Sequence, residues 1–197
     1  MENIFKIKIT YILCSIIVAC NTTYTPKPAG YCKIDFPKHQ YQVFNKVGYP
    51  YTFQYPVYAH IAQDSSFFND KPDNPWWINI DFPIFNARIY ISYKPIGKNS
   101  FAKLLADAYK MTFKQSYKAT AIEDSVFRTA NGISGTFFHV RGNAATAYQF
   151  FITDSTKHFL RGALYFNTAP NEDSLSIVND FLLQDLKHLT NTFTWSK

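Results

Sequence analysis

The stretch A-T-A-I-E-D-S-V-F-R-T-A-N-G-I-S-G-T-F-F-H-V-R-G-N-A-A-T-A-Y-Q-F-F-I-T-D-S-T-K-H-F-L-R-G-A-L-Y-F, residues 119–166, decides the fold. Three turn signals divide it. Thr129-Ala130-Asn131-Gly132 contains Asn-Gly, a strong hairpin dipeptide. Gly142-Asn143 and Asp154-Ser155-Thr156 supply the other two. The segments between them, 119–128, 133–141, 144–153 and 158–166, read as strands rich in aromatic and β-branched residues. Their connections are too short for crossovers, so they form an antiparallel meander. Apolar residues occupy both phases: Phe137 beside Phe138, Phe150 beside Phe151, and Leu160 and Leu164 against Phe159 and Tyr165. A sheet apolar on both faces must be covered on both faces.

Two helices are available as covers. The first follows Asn99 or Ser100, either of which can cap it. Phe101, Leu104, Leu105, Ala108, Thr112 and Phe113 fall on one stripe, with Lys103 and Asp107 spaced to pair at i,i+4. The second spans about 173–192 after Pro170, with Asp173 as a cap and Leu175, Val178, Leu182, Leu186, Leu189 and Phe193 inward. Upstream, strands are expected at 31–36, 51–55, 76–82 and 87–93, ended by Pro37, Pro56, Pro83 and Pro95, with a polar loop at 64–75. The class is α+β, a mostly antiparallel sheet covered by helices. The element order resembles the PsbP/Mog1-type α/β/α sandwich, in which an early aromatic strand ends in Tyr-Pro as Tyr55-Pro56 does here.

The N-terminal end carries a different message. Lys6 and Lys8 precede an apolar run at 9–19, far short of the ~20 residues a spanning helix needs. It reads as a secretory signal, and Ile17-Val18-Ala19-Cys20 resembles the lipobox of bacterial lipoproteins. The expected organisation is a signal peptide at 1–19, a lipid-anchored tether at 20–30 bearing two prolines, and a single domain at 31–197. Cys14 leaves with the signal and lipidation uses Cys20. Cys32 is then left without a disulfide partner and reads as a small buried hydrophobe. The chain carries a formal charge of +6, yet its Lys and Arg are scattered and form no nucleic-acid motif, so no nucleic-acid partner is expected. Its 19 Phe and 14 Tyr suit a strand-rich core.

No catalytic motif assembles. There is no G-x-S-x-G and no glycine-rich phosphate loop. His39, His60, His139, His158 and His188 lack metal-ligand spacing, so neither a metal nor a cofactor is expected. Asp35 and Asp81 each sit in Ile-Asp-Phe-Pro. They could present two carboxylates for acid–base work, or simply end two strands alike. Asp-Ser followed by an apolar residue or Thr recurs at Ser125, Ser155 and Ser174, and resembles a Bacteroidetes O-glycosylation sequon. Such pairs also suit turns and caps.

Together these stretches resemble the GldD family of gliding-motility lipoproteins. The residues that carry the likeness are Tyr24-Thr25-Pro26-Lys27-Pro28-Ala29-Gly30-Tyr31, Ile34-Asp35-Phe36-Pro37, residues 51–56, Trp77-Ile78-Asn79-Ile80-Asp81-Phe82-Pro83, Ser92-Tyr93-Lys94-Pro95, Gly142-Asn143-Ala144-Ala145 and residues 150–166. The resemblance implies a non-enzymatic envelope lipoprotein needed for gliding and linked to type IX secretion, with the membrane protein GldE as a partner. Few acids follow Cys20, which favours a periplasm-facing position. The expected partner-binding corner comprises Asp154, His158 and Arg161, with Asn143 at a separate turn. The alternative reading is a small-ligand or glycan binder using Trp76, Trp77 and Tyr49. A hydrolase built on Asp81 comes third.

Overall fold

Each turn of the meander forms where its residues demand it. The computed structural model describes residues 33–64 and 72–196. The signal, Cys20, the tether and Cys32 lie outside those residues. Residues Asp35–Lys197 make up one compact unit.

The meander strands are β6 (Ala119–Arg128), β7 (Ser134–Gly142), β8 (Tyr148–Thr153) and β9 (His158–Phe166). Gly132 takes φ +76° at the Asn-Gly turn, where a side chain would be strained. The third strand starts at Tyr148 rather than 144, because Gly142 to Ala147 forms a wide connection. Further strands are β1 (Tyr41–Phe44), β2 (Tyr51–Pro56), β3 (His60–Gln63), β4 (Ile78–Phe82), β5 (Ala87–Pro95) and β10 (Thr194–Trp195). A seven-stranded sheet runs β3-β4-β5-β9-β8-β7-β6, and a three-stranded sheet runs β1-β2-β10. All pairs are antiparallel.

Helix α1 (Phe101–Phe113) covers one face of the large sheet, packing Leu104 and Ala108 on Phe138, Phe151 and Phe159. Helix α2 (Glu172–Thr192) and the small sheet cover the other. There Ile78, Ile80, Ile89, Ile91, Phe150, Ile152, Leu160 and Leu164 meet Leu182, Leu186, Leu189, Tyr51, Phe53 and Phe193. The α+β class and its mostly antiparallel sheet are therefore as expected.

Three further expectations change. Residues 33–36 form no strand; Phe36 instead stacks on Phe181 of α2 at 4.5 Å between ring centroids. The cap of α2 is Asn171, whose side chain accepts from Ser174 N, not Asp173. Lys103 and Asp107 form no ion pair within the described residues, because Asp107 turns instead into a cleft beside α1.

Burial sets a pH signature. His139, His158 and His188 are all held below the ordinary imidazole pKa, chiefly by desolvation. They fold neutral, so below about pH 6.5 the unfolded chain binds more protons and stability falls as pH drops. Tyr41 and Tyr148 are pushed up to about 12, again chiefly by burial. Between the ordinary value near 10 and that point the unfolded chain loses protons first, so stability falls as pH rises. Unfolding midpoints measured from pH 5 to 11 should show a plateau between about 7 and 10 with losses on both sides. A flat profile down to pH 5 would contradict the neutral-imidazole assignment.

Candidate functional site

Period-two alternation places the expected partner residues. Asp154 lies in the β8–β9 turn and accepts backbone hydrogens from Thr156, Lys157 and His158 at 2.8–3.0 Å. Burial opposes its ionisation, but these three donors win and hold its carboxyl below the usual range. His158 bonds the Tyr93 hydroxyl through Nδ1 at 2.7 Å and stacks on Trp195, on the α2 face. Arg161 is three residues further along β9 and so faces α1. Asn143 sits elsewhere, where its Oδ1 accepts from Glu172 N at the start of α2. Arg161 is thus turned away from the corner of Asp154 and His158, and Asn143 lies at its separate turn.

The aromatic trio of the alternative reading braces the fold. Trp77 is 8% exposed and donates Nε1 to Tyr93 O. Trp76 donates Nε1 to Gly48 O at 2.7 Å, and the Tyr49 hydroxyl donates to Pro75 O. The Trp76 and Tyr49 bonds stitch the turn before β2 to the approach of β4, while Trp77 lies apart from them, tied to β5. Asp35 lies outside any strand, and Asp81 is engaged by Arg88 Nε on the next strand. The two Ile-Asp-Phe-Pro segments therefore have different fates and do not pair. Among the described residues no three His, Cys, Asp or Glu side chains converge as a metal would require.

A buried hub escapes the sequence reading. Asp185 is 2% exposed on the inner stripe of α2. Its carboxyl group accepts from His39 Nδ1 at 2.8 Å, the Tyr41 hydroxyl at 3.1 Å and the Tyr58 hydroxyl at 2.5 Å. His188 stacks on Tyr41 and donates to Gln54. The hub fastens residues 39–41 and the β2–β3 turn to α2. The signal was an acid at i+3 from Leu182 on an otherwise apolar stripe.

Two features remain open on the α1 side. The first is a set of exposed apolar side chains along the outer strand β6, Tyr117 before its start and Val126 near its close. Val126 and Tyr117 are each 79% exposed, and Phe113 stacks on Tyr109 nearby. Among the described strands β6 is the sheet edge and pairs only with β7. The second is a cleft of about 450 Å³ between α1 and strands β5 and β9, with Arg161 at its base. Ser125, Ser155 and Ser174 are all exposed, the first on the β6 edge.

No curated protein matches the chain. A solution structure of cyanobacterial PsbP (CyanoP) from Synechocystis sp. PCC 6803 is similar at 13% identity and a TM-score of 0.47, covering 86% of this chain and 99% of that one. Residues 21–195 match the family described as gliding motility lipoprotein GldD. With the match spanning the whole meander and every other described helix and strand, the chain belongs to the GldD family of gliding motility lipoproteins.

Proposed function

We propose that the chain acts without catalysis, as a lipid-anchored contact module for gliding and type IX secretion components, with GldE as the first partner to test. Membership carries involvement in gliding motility and association with the cell envelope. No helix among the described residues is long and apolar enough to cross a membrane. The anchor is the Cys20 thioether, with the domain facing the periplasm.

The observation that carries this reading is the β6 edge with its exposed Phe113, Tyr117 and Val126. An unpaired edge offers backbone N–H and C=O groups to an added strand, and the flanking rings provide apolar area of the kind partner interfaces enrich. The titratable side chains are engaged elsewhere: Asp185, Asp154, His39, His158 and His188 all hold the fold together. O-glycans on Ser155 and Ser174 belong to the same proposal, whereas a glycan on Ser125, on the edge strand itself, would block the added strand and is excluded from it.

The test is Phe113→Glu combined with Val126→Glu in the full-length lipoprotein. Both sites are exposed, so folding should be unchanged within about 0.5 kcal/mol. GldE recovered with the detergent-solubilised protein should fall severalfold, and colony spreading should shrink. Equal recovery and normal spreading at wild-type abundance would sink the proposal. Cys20→Ala should leave the protein unlipidated and abolish spreading.

A further inference from the structure

Arg161 is a cation that the fold desolvates without a paired counter-charge among the described residues. It lies midway along β9, flanked in register by Ser92 of β5 and Phe151 of β8. Its guanidinium donates Nη2–H to Oε1 of Gln149 and makes no ion pair with any carboxylate among the described residues. Burial makes its proton less tightly held than usual, and the Tyr165 hydroxyl offsets this only in part. A guanidinium has five N–H donors in a planar fork, and a neutral amide oxygen occupies one of them. Partial burial of a charge against a neutral partner is unfavourable, so the arrangement makes sense where an anion arrives from outside.

The surroundings are shaped for such a visitor. Arg161 forms the base of the cleft of about 450 Å³, within the range of about 300–1,000 Å³ typical of small-molecule sites. Leu104, Ala108 and Met111 of α1 form one apolar wall, and Phe159 with Trp77 the other. Gln149 sits beneath and is almost fully buried. Its Oε1 accepts from Thr112 and Arg161, which leaves Nε2 without a partner. Asn79 is a second buried amide on this face, in the row Asn79–Tyr90–Ala163–Gln149, and its Oδ1 is likewise unpartnered. An α1-facing surface with no ligand to hold would do better with apolar residues at these positions. The rim limits the charge of the guest. Lys94 is already paired with Asp73 at 2.9 Å, and Asp107 points into the cleft. Among the described lining residues, one available cation beside an acid suits a single negative charge and disfavours a phosphate dianion.

We propose that the Arg161 cleft binds a small monocarboxylate with an apolar body, its carboxylate bidentate on Arg161 and its body between Met111 and Phe159. Gln149 is a positioning residue that fixes the guanidinium plane. The site is independent of the β6 edge.

The test uses the full-length lipidated protein in nanodiscs and reads ligand binding by saturation-transfer NMR. The probes are hexanoate, N-acetyl-leucine, hexylammonium and inorganic phosphate. Hexanoate should bind saturably, while hexylammonium and phosphate should not compete. If N-acetyl-leucine competes, an amino-acid-derived ligand is indicated, and if it does not, an acyl one. Arg161→Met should weaken hexanoate about ten- to hundredfold, as loss of a charge-assisted pair does, with the thermal midpoint unchanged or raised. Met111→Asp, on the exposed rim, should weaken it about tenfold and serves if the Arg161→Met chain fails to fold. Absence of hexanoate binding, equal competition by hexylammonium, or full binding by a folded variant would each overturn the site. The Phe113→Glu/Val126→Glu protein should bind hexanoate normally, which separates failure here from failure of the contact-module reading.

Discussion

Asp185→Ala should destabilise the domain by about 3–5 kcal/mol, the scale seen when one side of a buried charged network is removed. The substitution leaves His39 Nδ1 and the hydroxyls of Tyr41 and Tyr58 without their acceptor in a partly buried setting. Each orphaned donor costs about 1–3 kcal/mol if water cannot reach it. Asp185→Asn keeps one acceptor oxygen and should lose less. Denaturant unfolding gives the magnitude, and amide hydrogen exchange gives the location: protection should collapse first in residues 39–44 and around Tyr58. A variant that unfolds at the wild-type midpoint would show that the hub contributes nothing net.

Gly162→Ala should be nearly as damaging, although it adds one methyl group. Gly162 pairs with Phe150 across β8 and β9, and a Cβ there would run into the Phe150 ring. That ring is itself clamped in the core under α2, 1% exposed, so it cannot swing aside. Overpacking of this kind costs about 1–3 kcal/mol, and Val should cost more than Ala. Gly135→Ala is the companion case, because its Cβ would meet the carbonyl oxygen of Phe151 and the Phe127 ring. Combining Gly162→Ala with Phe150→Leu should recover part of the loss, since the two changes share one volume. Wild-type stability in Gly162→Ala would show that the ring is free to move.

The sequence discloses most where hydrophobic alternation and turn chemistry agree. Strands β6 and β9 have the expected ends because Asn-Gly and Asp-Ser-Thr bound them. Strands β1, β3 and β10 are two to four residues long, too short to display a period. Phe36 misleads because a ring that docks on a helix has the same spacing as one in a ladder. Grouping Arg161 with His158 ignores strand parity: an odd separation sends two side chains to opposite faces. The cleft itself is invisible in the sequence, since it needs α1 to sit over Phe151 and Phe159 while leaving Ser92 and Arg161 uncovered. That placement is a tertiary fact with no local signature. The Asp185 hub is legible in principle, as a lone acid on an apolar stripe.

The Phe36–His39 bracket has a mechanical meaning. Phe36 lies against Phe85 and Phe181, and His39 stacks on Phe181 while bonding Asp185. Chain continuity means that tension drawn through the N-terminal end enters the domain at these rings before it reaches β1. They connect to α2, the longest of the described helices, whose inner stripe packs against the large sheet. Traction would thus be shared by the whole core at once, and the hairpin β1–β2 would be spared from unzipping residue by residue. A domain fastened this way behaves as a rigid cleat on a taut line.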